Sequence, residues 1–333
     1  MLNEQLGHVL LTGGTGFFGS AILNYLVNLY KVTNCVPKVT VLTRSPKAFL
    51  SINPEFQNHA WLKFHEGNLL APKTYPSEDS FTHIIHAAAD STLGHLLSPI
   101  ERFRQIVDGT GSLLQYAVEN QIHRFLLVSS GGVYGPQPEM LNMIPESFNG
   151  MADPLNANNA YSVSKRAAEH LCALYQYQYG VQTVIARCFS FVGVHLPLDA
   201  HFAIGNFIRD ALFNKEIDVI GDGAPIRTYM DERDLAEWLL VLTARGRAGE
   251  AYNVGSDQPI TILELAQLVR DLVSSGKVIN IQKNASYSNQ RNRYVPSIEK
   301  AKLELGLDIR YSLCQGIKST AEAAKQIMKR VTL

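Results

Sequence analysis

Tyr161 and Lys165 stand four residues apart in the run Tyr161-Ser162-Val163-Ser164-Lys165. On a helix that spacing puts phenol and ammonium on one face, near each other. An ordinary phenol ionises at about 10, too high to trade protons readily near neutrality. A neighbouring cation favours the phenolate and moves that value toward working pH, which suits general acid/base chemistry. A second candidate is Ser130, which ends the β-type run Leu126-Leu127-Val128-Ser129-Ser130 ahead of Gly131-Gly132-Val133-Tyr134-Gly135. Parallel sheets bind ligands at the carboxyl ends of their strands, so a hydroxyl there can hydrogen-bond the oxygen that gains or loses a proton. Near the chain start, TGGTGFFG fills residues 12–19, after His8-Val9-Leu10-Leu11 and before Ser20-Ala21-Ile22-Leu23. A buried strand thus runs into a glycine turn that opens an apolar-periodic helix, the context of a dinucleotide site. Gly13 allows the tight turn, Gly16 lets the backbone approach a pyrophosphate, and Gly19 lets helix and strand pack closely. The helix N-terminus offers unpaired N–H groups to the phosphates. Taken singly, each motif has a plain structural explanation: a turn, a strand-closing serine, one of 14 tyrosines beside a surface lysine.

The elements that must position these groups are legible in the hydrophobic pattern. Short β-type runs at Val9–Thr12, Lys38–Leu42, Lys63–His65, His83–Ala87, Arg124–Ser129 and Thr183–Arg187 alternate with helical patterns over Gly16–Leu29, Ile100–Asn120 and Ala160–Tyr179. That alternation predicts an α/β, doubly wound parallel sheet with helices on both faces. Residues 135–159, rich in Pro, Asn and Gly, read as a loop across the top of the sheet. Past Phe191 the loops lengthen, and helices are expected at Ile204–Phe213, Asp231–Thr243 and Ile262–Val273. Residues 1–190 are therefore expected to form the dinucleotide-binding domain, with 228–258 returning to it. Residues 191–227 and 259–333 form a smaller α/β lobe for substrate.

Composition removes several classes of function. With 30 Lys+Arg against 30 Asp+Glu, no global field attracts nucleic acid or an anionic membrane. No apolar stretch is long enough to span a bilayer, and the first residues lack the order of a signal peptide. Cys35, Cys172, Cys188 and Cys314 are widely spaced, without a C-x-x-C pair, and fit reduced thiols in a cytoplasmic protein. The ten histidines form no metal-binding motif, so no metal is expected.

In combination, the motifs resemble the extended short-chain dehydrogenase/reductase family, also described as the NAD-dependent epimerase/dehydratase family, in its nucleotide-sugar-modifying branch. The resemblance covers nearly the whole chain. TGGTGFFG matches T-G-x-x-G-x-x-G, and His86-Ala87-Ala88-Ala89 the alanine-rich end of the fourth strand. Ser129-Ser130 with Val133-Tyr134-Gly135 matches the catalytic serine/threonine segment, and Tyr161 with Lys165 the catalytic pair. Gly221-Asp222-Gly223 with Arg227 and Asp234, Tyr252-Asn253-Val254-Gly255, and Arg291-Asn292-Arg293-Tyr294-Val295-Pro296 also fit. The resemblance implies a Rossmann-type sheet with Tyr161 as acid/base and Ser130 polarising the reacting oxygen. Lys165 holds the nicotinamide ribose and lowers the tyrosine pKa. It implies cofactor contacts from Gly13, Gly16, Phe17, Phe18, Gly19, Arg44, Asn68, Leu69, Ala87, Ala88 and Ala89, besides Tyr161 and Lys165. Substrate contacts fall to Ser190, Asn206, Arg227 and one of Arg291 or Arg293, the arginines clamping a diphosphate. A homodimer built on the helices Ile100–Asn120 and Ala160–Tyr179 is implied as well.

Three departures narrow the reaction. The second strand ends in Thr43-Arg44-Ser45-Pro46, with no acidic residue until Glu55. An NAD site ordinarily grips the ribose hydroxyls with an acid there, whereas Arg44 and Ser45 suit a ribose phosphate, favouring NADP over NAD. Gly131 and Gly132 stand where the family's dehydratases carry Asp-Glu, and the decarboxylases' Glu is likewise missing. Glycines transfer no protons, so elimination is disfavoured. Ile106 and Ser190 replace two family asparagines. The resulting expectation is an NADP(H)-dependent oxidoreductase that reduces a nucleotide-linked 4-keto-6-deoxyhexose by hydride transfer. The alternative is a nucleotide-sugar 4-epimerase with tightly bound NAD. A 4,6-dehydratase, a non-catalytic redox sensor and a reductase of lipid-like or phenolic carbonyls rank below these.

Overall fold

The computed structural model describes residues 5–77, 80–88, 97–200, 202–282 and 293–331. The first strand, β1 (His8–Thr12), is an almost unbroken apolar run that is buried along its length. Such runs belong to parallel strands covered on both faces. It pairs in parallel with β2 (Lys38–Thr43) on one side and β4 (His83–His86) on the other. With β3 (Leu62–Glu66), β5 (Arg124–Ser130), β6 (Gln182–Cys188) and β11 (Ala251–Val254), they form a seven-stranded parallel sheet of order β11-β6-β5-β4-β1-β2-β3. The order reverses between β1 and β4, which opens a crevice at their carboxyl ends.

Successive strand residues feed two cores, as a period of two requires. Val9, Leu11, Ile85, Leu126 and Val128 pack on one face with helices α1 (Phe17–Thr33) and α6 (Glu232–Arg245). Leu10, Ile84, Phe125 and Leu127 pack on the other face with α3 (Pro99–Glu119) and α4 (Ala160–Tyr179). Ser98 and Glu101 close a reciprocal capping box at the start of α3, with Pro99 in its first turn. Gly180, at φ 74°, takes the left-handed conformation that ends α4. The short helix α2 (Pro46–Ile52) follows β2.

A third core lies outside the sheet, where Ile204, Phe207, Ile208, Ile217, Val219, Leu265, Val269 and Ile317 come together. They come from α5 (Ala203–Phe213), β8 (Glu216–Ile220), α7 (Ile262–Val273) and α9 (Leu313–Val331), with β13 (Val278–Gln282) pairing in parallel to β8. Two-residue strands β7 (Phe191–Val192) and β10 (Met230–Asp231) pair in parallel, and β9 (Ile226–Arg227) pairs antiparallel with β12 (Ile260–Thr261). Helix α8 (Glu299–Leu305) lies against β11 and α6. The expected helices are present with ends displaced by a few residues, the largest shift extending α1 from Leu29 to Thr33. The two-residue strands carry too few residues to show a period, and α2, α8 and α9 were not anticipated. Among the described residues, no helix is long and apolar enough to cross a membrane.

Candidate active site

The glycine turn between β1 and α1 is built as its sequence demands. Gly13 sits at φ +73°, and a side-chain carbon there would meet the Ala87 carbonyl and Ala88 amide at 2.6 Å. The turn therefore lies directly on the end of β4. At Gly19 the same carbon would fall 2.2 Å from the Gly14 backbone, so helix and turn touch. At Gly16 it would meet only the Gly13 carbonyl, at 3.5 Å. That side of the turn is open, and no side chain caps the amides of the first turn of α1. Backbone donors beside open space fit the pyrophosphate of a dinucleotide. Arg44 is exposed just beyond β2, next to Ser45, which precedes the first residue of α2 without a side-chain capping bond. Asn68 and Leu69 follow β3 nearby, where Asn68 Oδ1 accepts from the Leu70 amide and the Leu69 carbonyl from the Tyr75 hydroxyl. Neither lines the main cavity. Ala89 lies outside the described residues.

That cavity, of about 420 Å³, opens over the carboxyl ends of β1, β4 and β5. Phe17, Phe18, Ala87, Ser130, Tyr161 and Lys165 line it from the sheet side. Tyr161 and Ser130 both line it, and the serine hydroxyl favours the ionised phenol. Ser130 Oγ accepts from the Gly132 amide at 3.1 Å, so the turn after β5 fixes its position. Burial raises the phenol pKa above its ordinary value, while the Ser130 hydroxyl and the Arg102 charge pull it back. Lys165 is 3% exposed, and burial lowers its ammonium to about 8. Its Nζ donates to the Val128 carbonyl at 2.7 Å and lies 6.0 Å from the centre of the Tyr161 ring. The cation that opposes the burial of Tyr161 is Arg102, from α3, and not Lys165 as the spacing suggested. Sequence reasoning missed Arg102 because it sits on a different helix, with no local pattern linking it to Tyr161.

Toward the third core the wall consists of Ser190, Leu196, Phe202, Arg227, Tyr229 and Ile262. Ser190 and Arg227 thus reach the cavity as anticipated from the motifs. Asn206 does not line it: its side-chain nitrogen, turned to donate, reaches the carbonyls of Leu198 and Ala200 at 2.9 Å. Arg293 pairs through its backbone with Ile226, beside Arg227, but its Nε donates to the Asn142 carbonyl at 2.9 Å. Its guanidinium is thereby tied to the 142 loop, while Arg291 lies outside the described residues.

The two glycines after Ser130 have a packing reason. A side-chain carbon at Gly131 would strike the Tyr294 hydroxyl at 2.6 Å and the Phe189 ring at 2.7 Å, and at Gly132 it would strike Ser162 Oγ at 2.8 Å. Phe189 and Tyr294 pack against each other with ring centres 4.4 Å apart and planes tilted by 31°, occupying the space a longer side chain would need. Among the described residues no Asp or Glu lines the cavity, and no cluster of His, Cys, Asp or Glu could hold a metal ion. The described residues can move a proton at one oxygen through Tyr161, but they offer no carboxylate in the cavity to take a second proton from carbon.

Residues 9–255 match the NAD dependent epimerase/dehydratase family. A UDP-glucuronic acid decarboxylase 1 from Danio rerio is 30% identical over 317 residues, covering 94% of this chain and 72% of that protein. Its counterpart from Xenopus tropicalis is also 30% identical, over 94% of this chain and 70% of its own. Among solved structures, a dTDP-glucose 4,6-dehydratase from Streptomyces venezuelae with NAD bound superposes with a TM-score of 0.82. It is 26% identical over 97% of this chain and 98% of its own. A UDP-glucose 4-epimerase from Thermotoga maritima shares the fold with the same score at 20% identity, over 96% of this chain and 99% of its own.

Proposed function

The chain belongs to the NAD dependent epimerase/dehydratase family, and from that premise we propose that it is an NADP(H)-dependent oxidoreductase that reduces a nucleotide-linked 4-keto-6-deoxyhexose. One observation carries the choice of reaction: among the described residues the cavity holds a phenol for one proton and no carboxylate for a second. Gly131 and Gly132 cannot be replaced by acids without displacing Phe189, Tyr294 and Ser162. Water elimination therefore lacks a base among the described residues, although a 4,6-dehydratase is among the similar structures.

A bound nicotinamide dinucleotide supplies the hydride. Gly16 and the first-turn amides of α1 take its pyrophosphate, and Arg44 with Ser45 its ribose phosphate. Lys165 holds the nicotinamide ribose. Tyr161 gives its proton to the carbonyl oxygen that becomes the C4 hydroxyl, and Ser130 hydrogen-bonds that oxygen. Arg227 holds the substrate's diphosphate, with Ser190 on the same wall. The proposal includes a homodimer formed on the outer faces of α3 and α4, where Leu174 and Tyr177 are exposed apolar residues.

Incubating purified protein with NADPH and nucleotide-linked 4-keto-6-deoxyhexoses tests the reading. Net NADPH consumption is expected, and Tyr161→Phe should lower turnover by about 10²–10⁴-fold with an unchanged melting temperature. The same carboxylate-free cavity serves a 4-epimerase, which oxidises and then reduces the sugar on one retained cofactor. Interconversion of epimers without net NADPH consumption, by protein that purifies with NAD, would assign that second reading.

A further inference from the structure

The cavity wall carries a cation that neither the glycine turn nor the Tyr161–Lys165 spacing accounts for. Arg102 lies in the first turn of α3, and its guanidinium carbon stands 4.5 Å from the centre of the Tyr161 ring. Its Nε is buried without a hydrogen-bond partner among the described residues. The neighbouring carboxylate is already committed, because Glu101 Oε2 accepts from the Ser98 amide at 2.8 Å in the helix cap. Among the described residues nothing acidic lines the cavity to take its place. The guanidinium therefore has one evident role among the groups it touches, which is to lie on the phenol.

We propose that Arg102 is a positioning residue of the acid/base centre, its guanidinium laid on the Tyr161 ring to hold the phenol toward the cavity and favour its ionised form. The groups facing that phenol are Arg102 from α3, Lys165 from α4, Ser130 from β5 and Cys188 from β6. Burial pushes the Cys188 thiol above its ordinary range, so it stays neutral and does not counter the two cations. Lys165 stands farther from the ring and spends a hydrogen bond on Val128. A flat guanidinium stacks on an aromatic face as a lysine ammonium cannot.

This inference rests on Tyr161 as the acid/base. The test uses the full chain loaded with NADP⁺ and labelled at the tyrosine ζ-carbon, with the Tyr161 resonance assigned through Tyr161→Phe. Arg102→Gln should move the ionisation midpoint of Tyr161 up by about one pH unit, the scale of losing a cation within roughly 4–6 Å. Arg102→Met, which keeps the apolar contact with the ring, should do the same and serves if the glutamine variant does not fold. Arg102→Lys should return part of the shift. The pH profile of turnover should move with the midpoint while KM for the nucleotide sugar stays constant. An unmoved midpoint in both neutral variants overturns the proposal. So does a raised KM with an unmoved midpoint, which would make Arg102 a ligand for a substrate anion. If the midpoint moves but wild-type protein turns over no nucleotide sugar, the proposed function fails and the role of Arg102 stands.

Discussion

In the proposed function, cofactor choice turns on Arg44. It lies exposed at the end of β2, where a carboxylate would grip ribose hydroxyls and repel a ribose phosphate. Replacing it by Glu should weaken NADPH binding by about ten- to a hundredfold, the worth of one charge-assisted hydrogen bond. NADH binding should hold or improve. Fluorescence titration with both cofactors measures this, and equal losses for the two would refute a phosphate role for Arg44. At this scale the sequence spoke where function sits in short local runs. The glycine turn, the Tyr161–Lys165 pair and Ser130 each follow from spacing within one turn, helix or strand end. Arg102 was invisible because it arrives from another helix. Asn206 was misplaced because side-chain direction on α5 depends on the 198–200 loop that it holds. The glycines at 131 and 132 were visible, but Phe189 and Tyr294, which crowd the first, come from two distant segments, and Ser162, which crowds the second, comes from α4.

At the level of elements, the end of β5 is held by a buried polar chain that runs beneath the cavity. Ser129 Oγ donates to Glu169 Oε1 at 2.6 Å, and Arg187 grips the same carboxylate through Nε and Nη2. Arg187 Nη1 donates to the Tyr134 hydroxyl, which in turn donates to Asn253 Oδ1. Asn253 Nδ2 then donates to the carbonyls of Ile144 and Ser297. One chain thus ties β5, α4, β6, the turn after Ser130 and β11 to the segment that brings Tyr294 over Gly131. The Tyr252-Asn253-Val254-Gly255 run reads from sequence only as a family motif; its asparagine is the far anchor of this network. Removing one partner of a buried ion pair strands the other, at about 3–5 kcal/mol. Glu169→Leu should therefore lower unfolding free energy by about 3 kcal/mol, measured by urea denaturation. Turnover should fall with it, because Ser130 loses its footing. Full activity at unchanged stability would show that the network does not position the strand end. Element types were legible because apolar periods of two and 3.6 survive in long segments. Strands of two residues and the network's long-range partners leave no such period.

At the scale of the whole molecule, His83, His86 and Asp234 couple the cores to pH. Burial and the Arg124 charge lower His83 to about 4, and burial with the Lys165 charge lowers His86 to about 3. Thr110 gives its hydroxyl proton to the Ile106 carbonyl, so neutral His86 donates from Nε2–H to Thr110 while Nδ1 accepts from Thr12. Protonation would only reverse the Thr12 bond, because that hydroxyl can also accept; burial and the Lys165 charge are what disfavour the imidazolium between β4 and β1. Asp234 works in the opposite direction: burial raises it to about 6, although the Arg310 and Tyr311 amides donate to its Oδ2. A depressed histidine contributes stability that is present above about 6.5 and lost as pH falls toward the folded value. The raised aspartate contributes stability present below about 3.8 and lost as pH rises through 6. Between pH 6 and 4 two groups therefore favour the unfolded chain on acidification and one opposes them. The melting temperature should fall from pH 7 to pH 4, and Asp234→Asn, which removes the opposing group, should steepen that fall. Calorimetry across this range decides the matter. A melting temperature that rises on acidification, or an Asp234→Asn curve parallel to wild type, would mean that other groups govern the acid limb of stability.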